Sequence, residues 1–398
     1  MGHEKELAVF GGKPIRSNTL SYGRQCINRE DEKAVLAALR SDFLTQGPRI
    51  EEFEQAFSAY VKRRFAVAFS SGTAALHASY YALGLGNGDS LLTVPMTFAA
   101  TANAALFVGA SVAFADVQPE TGLIDPARID REITKKTKAI CVVHYGGALC
   151  AMDEVNATAK RHGIPIVEDA CHALGAEGYG ASAGRFGKLA VFSFHPVKPI
   201  TTGEGGMVVT DSAKLYERMK AFRSHGISKS PRLSETKGPW FYEMRELGFN
   251  YRLTDIQCAL GLSQLKRYDE FLRRRRDIAA DYDSFFSDFD AIRPCTIKPG
   301  VKSAYHLYPV LVDGHRYKGG RKMFFKALQA EGIGVQVHYI PVNMHPYYKS
   351  LGFKASDTPC AKSFYDREIS IPIHPGMTKR DIADVKNAFL KIHNALGR

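Results

Sequence analysis

The sequence lacks the marks of membrane and secreted proteins. It contains no run of eighteen or more apolar residues, and its first sixteen residues are charged and lack the apolar core that a signal peptide needs. We therefore expect a protein of the cytoplasm with no membrane partner.

Cysteine usage argues against two kinds of stabilising site. The seven cysteines are scattered along the chain, are odd in number and form no C-x-x-C pair. Neither a disulfide framework nor a metal site is therefore indicated. The chain also has no internal repeat, low-complexity tract or Gly/Ser linker, which favours lobes that pack together over lobes on a tether.

The composition is that of an ordinary globular protein. The 398 residues are 45% hydrophobic and 24% charged, which suits one large domain and one smaller one. The formal net charge of +12 suits nucleic acid and anionic small molecules equally. No helix-turn-helix, zinc-finger or aromatic-basic pattern is present, so we expect no nucleic-acid partner. We expect the densest basic run, residues 273–276, to form a solvated or interface surface rather than a phosphate site.

Short apolar runs alternate with longer amphipathic stretches between about residues 25 and 265, which predicts an α/β domain with a helix-covered sheet. The predicted strands are residues 65–70, 90–94, 112–116, 139–143, 165–168, 190–194 and 207–210. The predicted helices between them are residues 51–62, 73–83, 99–108, 153–162 and 213–224.

Residues 253 to about 285 contain no proline and are rich in Leu, Ala, Arg, Lys and Gln, which predicts one long helix. We place the domain boundary inside it, giving a large domain of residues 1–265 and a small domain of residues 266–398. The small α/β lobe is predicted to have strands at 305–312 and 334–338 and helices near 321–330 and 379–396.

The first segment with chemical potential is residues 70–76, Ser-Ser-Gly-Thr-Ala-Ala-Leu, which follows an apolar strand and opens a helix. Small residues there let an anion approach the free N–H groups of the helix N-terminus, and the hydroxyls add donors. A plain capped helix start explains the same residues equally well.

The second segment is residues 164–172, an apolar strand that ends in Glu168 and Asp169 and is followed by His172. Ligands of α/β sheets lie beyond the carboxyl ends of the strands, so Asp169 can hold a proton on a pyridine nitrogen. Alternatively, Asp169 is a helix cap. Glu168 points to the other face of the strand, and we expect it to be structural.

The third segment, residues 191–206, carries Lys198 between two prolines, after an apolar strand and before a turn rich in Thr and Gly. A lysine held by a rigid turn and partly shielded from water can have its amine pKa lowered enough to act as nucleophile and base. Single lysines are nevertheless more often solvated surface residues.

Taken together, these segments resemble the DegT/DnrJ/EryC1/StrS family of sugar aminotransferases. The resemblance runs nearly end to end, because it also includes residues 10–16, 44–48 and 337–341. It implies the type I fold of the enzymes that depend on pyridoxal 5′-phosphate (PLP). That fold is an α/β architecture with a large mixed-sheet domain and a smaller C-terminal α/β domain.

The resemblance also implies roles for individual residues. Lys198 and Asp169 would be catalytic: Lys198 would carry pyridoxal 5′-phosphate as a Schiff base, and Asp169 would pair with its pyridinium. Gly72, Thr73 and Ser193 would bind its phosphate.

The resemblance implies that three further residues contact the cofactor. Phe98 would stack on the cofactor ring, and His172 would contact its phenolic side. Asn250 of a neighbouring subunit would reach the phosphate, which implies a homodimer with shared active sites. From the residues alone, Phe98 is rather a core aromatic and Asn250 a turn residue.

Residues 238–257 resemble in particular the branch of the family that acts in pseudaminic acid biosynthesis. That likeness implies glutamate as amino donor and a UDP-linked 4-keto-6-deoxy-N-acetylhexosamine as acceptor. Other enzyme hypotheses are amination of a dTDP-sugar or of UDP-keto-arabinose. Outside the enzymes, the hypotheses are a cofactor-binding regulator and a nucleic-acid-binding protein.

Overall fold

A computed structural model describes residues 6–228 and 235–398. The first five residues of the N-terminal segment used above against a signal peptide therefore lie outside the described residues. Within the described ranges, no helix combines the length and the apolar character needed to cross a lipid bilayer.

The secondary structure alternates between helices and strands through the first two thirds of the chain. The strands are β1 Phe65–Phe69, β2 Ser90–Thr93, β3 Ser111–Phe114, β4 Thr137–Val143, β5 Ile166–Asp169, β6 Glu177–Gly178, β7 Ala181–Ser182, β8 Leu189–Ser193, β9 Gly206–Thr210, β10 Ile227–Ser228, β11 Glu243–Met244, β12 Ile292–Pro294, β13 Tyr308–Val312 and β14 Glu368–Ile371. The longer helices are α1 Arg29–Leu39, α2 Pro48–Val61, α3 Gly72–Leu83, α4 Ala100–Phe107, α5 Pro126–Glu132, α6 Met152–His162, α7 Ala213–Arg223, α8 Asp255–Lys266, α9 Tyr268–Phe286, α10 Gly320–Ala330, α11 Pro346–Ser350, α12 Pro359–Arg367 and α13 Lys379–Leu396.

Seven strands form a mixed sheet in the order β1-β9-β8-β5-β4-β2-β3. Strand β9 is antiparallel to both of its neighbours, β1 and β8, whereas β8, β5, β4, β2 and β3 are paired in parallel. The central strands are buried along their whole length, as expected for strands covered by helices on both faces. The predicted large mixed-sheet α/β fold is therefore confirmed.

Helices cover both faces of this sheet. On one face, α3, α4 and α7 share an apolar core with the strands. On the other face, the core is shared with α2, α8 and the beginning of α9. Local signals fix several helix starts: Asn28 and Thr254 form capping boxes at α1 and α8, and Pro48 is the first residue of α2.

A second core lies in the C-terminal part of the chain. The antiparallel sheet β12-β13-β14 packs with α10, α13 and the second half of α9. The N-terminal segment also enters this core through Leu7 and Leu20. Thus α9 begins in the core of the large sheet and ends in the core of the small one.

The prediction of one long helix from residue 253 to about 285 is wrong. The helix breaks at Arg267, which leaves the helical conformation at φ −104° and ψ 2°. Gln264, in the last turn before the break, and Arg267 both donate to the buried carboxylate of Asp31 in α1. A contact with a distant helix thus accompanies the break, and helix propensity along one segment cannot foresee it.

The expected strand at residues 334–338 is also absent. The segment makes single bridges instead, through Ile333 to Leu20 and through Gln336 to Ser370. Past Gln336, the His338 ring reaches the Ser370 hydroxyl, and its backbone N–H donates to the Glu368 carboxylate. Side-chain contacts therefore replace a strand ladder.

The basic run in α9 is not a solvated surface, contrary to our expectation. Arg275 is only 1% exposed and donates to the carbonyls of Tyr305, His306 and Ile373. Its neighbour Arg276 donates to the carbonyls of Ser303 and Gly175, and Arg274 donates to that of Met377. These arginines join α9 to loops of both lobes, because a guanidinium can satisfy several backbone acceptors at once.

Candidate active site

Three segments that follow strands of the large sheet meet at one of its edges. Strand β1 leads into α3, β5 ends at Asp169, and β8 ends at Ser193. Strands β5 and β8 are parallel neighbours, with Asp169 opposite Val191. A cavity of about 590 Å³ lies at this edge, where α/β sheets bind ligands.

The cavity brings together all but one of the predicted site residues. Its wall contains Gly72, Thr73, Phe98, Asp169, His172, Ser193 and Lys198. Asn250 is the exception: it is exposed and forms a bridge with Ser224 outside the cavity wall. That position is compatible with service to a neighbouring subunit, and this role of Asn250 stays a prediction.

The carboxylate of Asp169 is buried and held in place by two donors. Its Oδ2 accepts from the Thr101 hydroxyl at 2.7 Å, and its Oδ1 accepts from the backbone N–H of Cys171 at 3.2 Å. The Thr97 hydroxyl lies 2.7 Å from that of Thr101. Because Thr101 gives its proton to the carboxylate, Thr97 donates to Thr101. A carboxylate has about four lone-pair sites, so it can still accept from a protonated pyridine nitrogen.

Asp169 is not a helix cap. The residues that follow it, 170–176, form turns rather than a helix. The alternative reading of this aspartate from sequence is therefore wrong, and its carboxylate is available to the cavity.

The loop that carries Lys198 is braced by its own backbone and hydroxyls. The N–H of Lys198 donates to the carbonyl of His195 at 2.8 Å. The Thr201 hydroxyl and the N–H of Thr202 both donate to the carbonyl of Phe194, each at 3.0 Å. These bonds close the loop between β8 and β9, so that Lys198 occupies a fixed place in the cavity wall.

The pKa of the Lys198 amine is lower than that of an ordinary lysine. Burial lowers its pKa below the ordinary lysine value, while Cys171 and Asp169 oppose the shift. A lowered pKa increases the neutral fraction, which is the form that attacks carbonyl carbon. Lys198 is thus not a solvated surface lysine.

The start of α3 suits an anion. Ser71 caps the helix by accepting from the N–H of Ala74 at 3.1 Å, so the capped start expected as one reading is present. A capped helix start does not exclude anion binding, because the cap engages one of several free N–H groups at the helix N-terminus. A Cβ on Gly72 would stand 3.0 Å from the Cβ of Ser193 and 3.7 Å from the sulfur of Cys171. The missing side chain at Gly72 therefore keeps this corner open.

Phe98 and His172 both lie in the cavity wall but differ in exposure. Phe98 is 61% exposed, which excludes the reading as a core aromatic. Its ring centroid lies 6.1 Å from that of Tyr339. His172 is buried, and burial, with Lys198 and His338 nearby, holds its pKa well below the ordinary value. Its imidazole is therefore neutral.

Several residues of the cavity wall were not found from the sequence: Tyr22, Thr97, Thr101, Cys171, His306, His338 and Tyr339. His338 and Tyr339 lie in the segment 337–341 that supports the family resemblance, but no sequence motif there indicates a functional role for either residue. Cys171 lies within the segment 164–172 and Thr97 precedes Phe98. Tyr22, Thr101 and His306 come from segments whose proximity only the fold creates.

Two of these residues add neutral imidazoles to the cavity. The rings of His172 and His306 are 4.4 Å apart. Burial lowers the pKa of His338 to about 3 and that of His306 well below its ordinary value. Nδ1 of His306 is buried without a hydrogen-bond partner among the described residues. This wall therefore offers hydrogen-bonding groups without adding cationic charge near Lys198.

Glu168 has the structural role expected for it. Its carboxylate is fully buried and accepts from the N–H groups of Gly184, Phe186 and Gly187 at 2.7–2.8 Å. His144 contacts it at 3.1 Å through Nε2. Since the other nitrogen of His144 accepts from the N–H of Cys150, the Nε2 proton points to Glu168.

The wall residues fit pyridoxal phosphate. A primary amine of lowered pKa and a fixed carboxylate share one cavity, a helix N-terminus with hydroxyls lies beside them, and an exposed aromatic ring is present. The unfilled corner at Gly72 and the unpartnered nitrogen of His306 leave space and a polar atom for a bound group.

Comparison with known proteins points to the same class. Residues 25–390 match the model of the DegT/DnrJ/EryC1/StrS aminotransferase family. A curated relative from Campylobacter jejuni, UDP-4-amino-4,6-dideoxy-N-acetyl-beta-L-altrosamine transaminase, is 42% identical over 94% of this chain and 97% of its own length.

Two solved structures share the fold. Helicobacter pylori PseC, an aminotransferase involved in the biosynthesis of pseudoaminic acid, superposes with a TM-score of 0.89 at 35% identity. The match covers 95% of this chain and all of that one. The PLP form of Spr1654, a putative sugar aminotransferase from Streptococcus pneumoniae, has a TM-score of 0.88 at 30% identity, covering 95% and 100%.

Proposed function

This chain belongs to the DegT/DnrJ/EryC1/StrS aminotransferase family, and from that premise we propose its reaction. The chain transfers an amino group from glutamate to the 4-keto group of a UDP-linked 4-keto-6-deoxy-N-acetylhexosamine, with pyridoxal 5′-phosphate as cofactor. The observation that carries this proposal is the meeting of Lys198, with its lowered pKa, and the oriented carboxylate of Asp169 in one cavity.

The cofactor, when bound, supplies an electron sink for the charge released as the donor loses its α-proton. Gly72, Thr73 and Ser193 would bind its phosphate at the N-terminus of α3, where the helix dipole favours an anion. Phe98 would stack on its ring, because the Phe98 side chain is exposed in the cavity wall. His172 would contact its phenolic side.

Lys198 has two tasks in sequence. Its amine first holds the cofactor covalently, which the lowered pKa favours. When not bonded to the cofactor, its Nζ would take the proton from the α-carbon of the donor. In the second half-reaction, Nζ returns a proton to the carbon of the sugar that receives the amine.

Asp169 keeps the pyridine nitrogen protonated, because an anion fixed beside it favours the cationic form. The donors Thr101 and Cys171 hold the carboxylate so that little reorganisation is needed during the reaction. The oriented aspartate is therefore the residue that strengthens the electron sink.

The substrate assignment is supported by two features. Residues 238–257 resemble the pseudaminic acid branch, and relatives with 37–42% identity are named as transaminases of the altrosamine compound. The net charge of +12 favours a ligand with a diphosphate. Since charge serves a dTDP-sugar equally, the segment and the relatives distinguish the sugars.

We extend the proposal to a homodimer with shared sites. Large apolar side chains before Asn250 are exposed, with Trp240 and Leu247 each at 76% and Met244 at 66%. Several large exposed apolar side chains within one short segment are typical of a protein interface. In the dimer, Asn250 reaches the phosphate in the neighbouring site.

The proposal is tested by comparing turnover of two acceptors with glutamate as donor. We expect kcat/KM for the UDP-linked acetamido-keto-sugar to exceed that for a dTDP-keto-sugar without the acetamido group by about tenfold to a hundredfold, because polar groups that bind the acetamido would be left unpaired. Equal efficiency, or the reverse preference, would contradict the sugar assignment and leave the aminotransferase class intact.

A further inference from the structure

Tyr339 lies in the cavity wall and has no role in the steps described above. Its ring centroid is 6.1 Å from that of Phe98 and 6.1 Å from that of His172, and it is tilted by only 28° from the His172 ring. Its hydroxyl lies 3.1 Å from Nε2 of His172. Either atom of that pair can be the donor, so the direction of this hydrogen bond has to be found from its surroundings.

The other nitrogen of His172 determines the direction. The backbone N–H of Gly146 can only donate, and it points to Nδ1 at 3.3 Å. Nδ1 therefore carries no proton. Because burial lowers the pKa of His172 and keeps the ring neutral, its single proton is on Nε2. Nε2–H thus donates to the hydroxyl oxygen of Tyr339.

A phenol has one proton, and Tyr339 must direct it away from His172. Burial raises the pKa of this phenol well above its ordinary value, so the proton is retained. No acceptor for it is found within residues 6–228 and 235–398. Since Tyr339 lines the cavity, the remaining direction is the cavity itself.

We propose that Tyr339 donates its hydroxyl as a hydrogen bond to an oxygen atom of the molecules bound in the cavity, and that His172 is a positioning residue that fixes this direction. The inference rests on the proposed function, which supplies two such oxygens. One is the phenolic oxygen of the cofactor, and the other is a keto or hydroxyl oxygen of the sugar. Both accept a hydroxyl donor in the same way.

The test uses Tyr339→Phe, which keeps the ring and removes the donor. The matched control is Tyr348→Phe, because Tyr348 is a buried tyrosine outside the cavity wall whose hydroxyl donates to Asn103 at 2.7 Å. Two readouts distinguish the two oxygens: the pH titration of the absorbance of the bound cofactor without substrate, and kcat/KM for the keto-sugar.

If Tyr339 donates to the cofactor, we expect the titration midpoint of Tyr339→Phe to rise by about one pH unit, because loss of the donor leaves the cofactor more basic. If it donates to the sugar, we expect an unchanged titration and kcat/KM lower by about tenfold to a hundredfold, the loss that follows an unpaired polar group. Tyr348→Phe should change neither. Wild-type values for both readouts in Tyr339→Phe would overturn the inference.

A second measurement needs neither cofactor nor a folded variant. Nitrogen chemical shifts of His172 in the unsubstituted protein should show a neutral ring protonated on Nε2. Protonation on Nδ1 would reverse the bond to Tyr339 and overturn the inference. Failure of the proposed function looks different: the unsubstituted protein would bind no pyridoxal phosphate or aminate no keto-sugar.

Discussion

Two hydrogen bonds orient the carboxylate of Asp169, one from Thr101 and one from the N–H of Cys171. We predict that Asp169→Ala retains part of the cofactor, since Lys198 and the phosphate contacts remain. Its rate of transamination should fall on the order of a thousandfold or more, because the electron sink loses its electrostatic partner. The measurement is single-turnover amination together with the absorbance of bound cofactor.

Reduction with borohydride and peptide mapping provides the control for this variant. The tag should be on Lys198 in both the unsubstituted protein and Asp169→Ala. A tag on another lysine would refute the attachment site, and wild-type turnover in the folded variant would refute the role of Asp169.

The place of Asp169 and Lys198 in one cavity could be predicted from the sequence, whereas the residues that support them could not. Asp169 and Lys198 follow apolar strands, and strand ends point to the ligand edge of a sheet. Thr101 donates to Asp169 from a helix 68 positions earlier in the chain, and Tyr339 reaches His172 from 167 positions later. No periodicity links such pairs, so only the fold reveals them.

The adjacent carboxylates of Glu168 and Asp169 point to opposite faces of strand β5. Asp169 meets the cavity, whereas Glu168 accepts three backbone N–H groups of the segment before β8 and contacts His144. Successive side chains of a strand point to opposite faces, so one strand supports both the site and the loop behind it.

We predict that Glu168→Ala lowers the free energy of unfolding by about 3 to 5 kcal/mol, because four donors, three of them buried, lose their acceptor. Urea denaturation measures the change. Glu177→Ala is the matched control, since the side chain of Glu177 makes an exposed ion pair with Lys302 at 3.4 Å and its loss should change stability by about 0.5 kcal/mol or less. A similar loss for both variants would count against the structural role of Glu168.

The seven strands of the large sheet lie within two residues of their predicted ends, because strands buried on both faces are continuous apolar runs. The secondary-structure predictions were wrong where contacts between residues far apart in the chain determine the local conformation. The helix breaks at Arg267 beside the carboxylate of Asp31, and residues 334–338 are held by Glu368 and Ser370 instead of a ladder.

The enzyme class expected from sequence is confirmed by the family match over residues 25–390. The hypotheses of a regulator and of a nucleic-acid-binding protein are therefore set aside. The division into domains at residues 265 and 266 stays a prediction. Helix α9 begins two residues beyond it and contributes to both cores.

Shared sites in a dimer can be tested by subunit exchange. We predict that Lys198→Ala and Asn250→Ala are each severely impaired, and that mixing them restores activity. In a heterodimer, one site combines Lys198 of one chain with Asn250 of the other. Random exchange should restore about a quarter of the wild-type activity, because half of the dimers are mixed and each has one intact site of two.

The control mixture is Lys198→Ala with Asp169→Ala. These residues line one cavity of a single chain, so no heterodimer contains an intact site, and no activity should return. If verified exchange restores nothing in the first mixture, Asn250 does not serve the neighbouring site.

The lowered pKa of Lys198 also bears on which of the many lysine amines reacts with the cofactor aldehyde. A free aldehyde reacts with any unprotonated amine, and an exposed lysine of ordinary pKa is unprotonated in only roughly one of a few thousand molecules at pH 7. Burial lowers the pKa of Lys198, so a larger fraction of this amine is unprotonated than of a solvent-exposed lysine. If the cofactor is held by Lys198 as proposed, the fold itself directs its attachment to this position among many lysines.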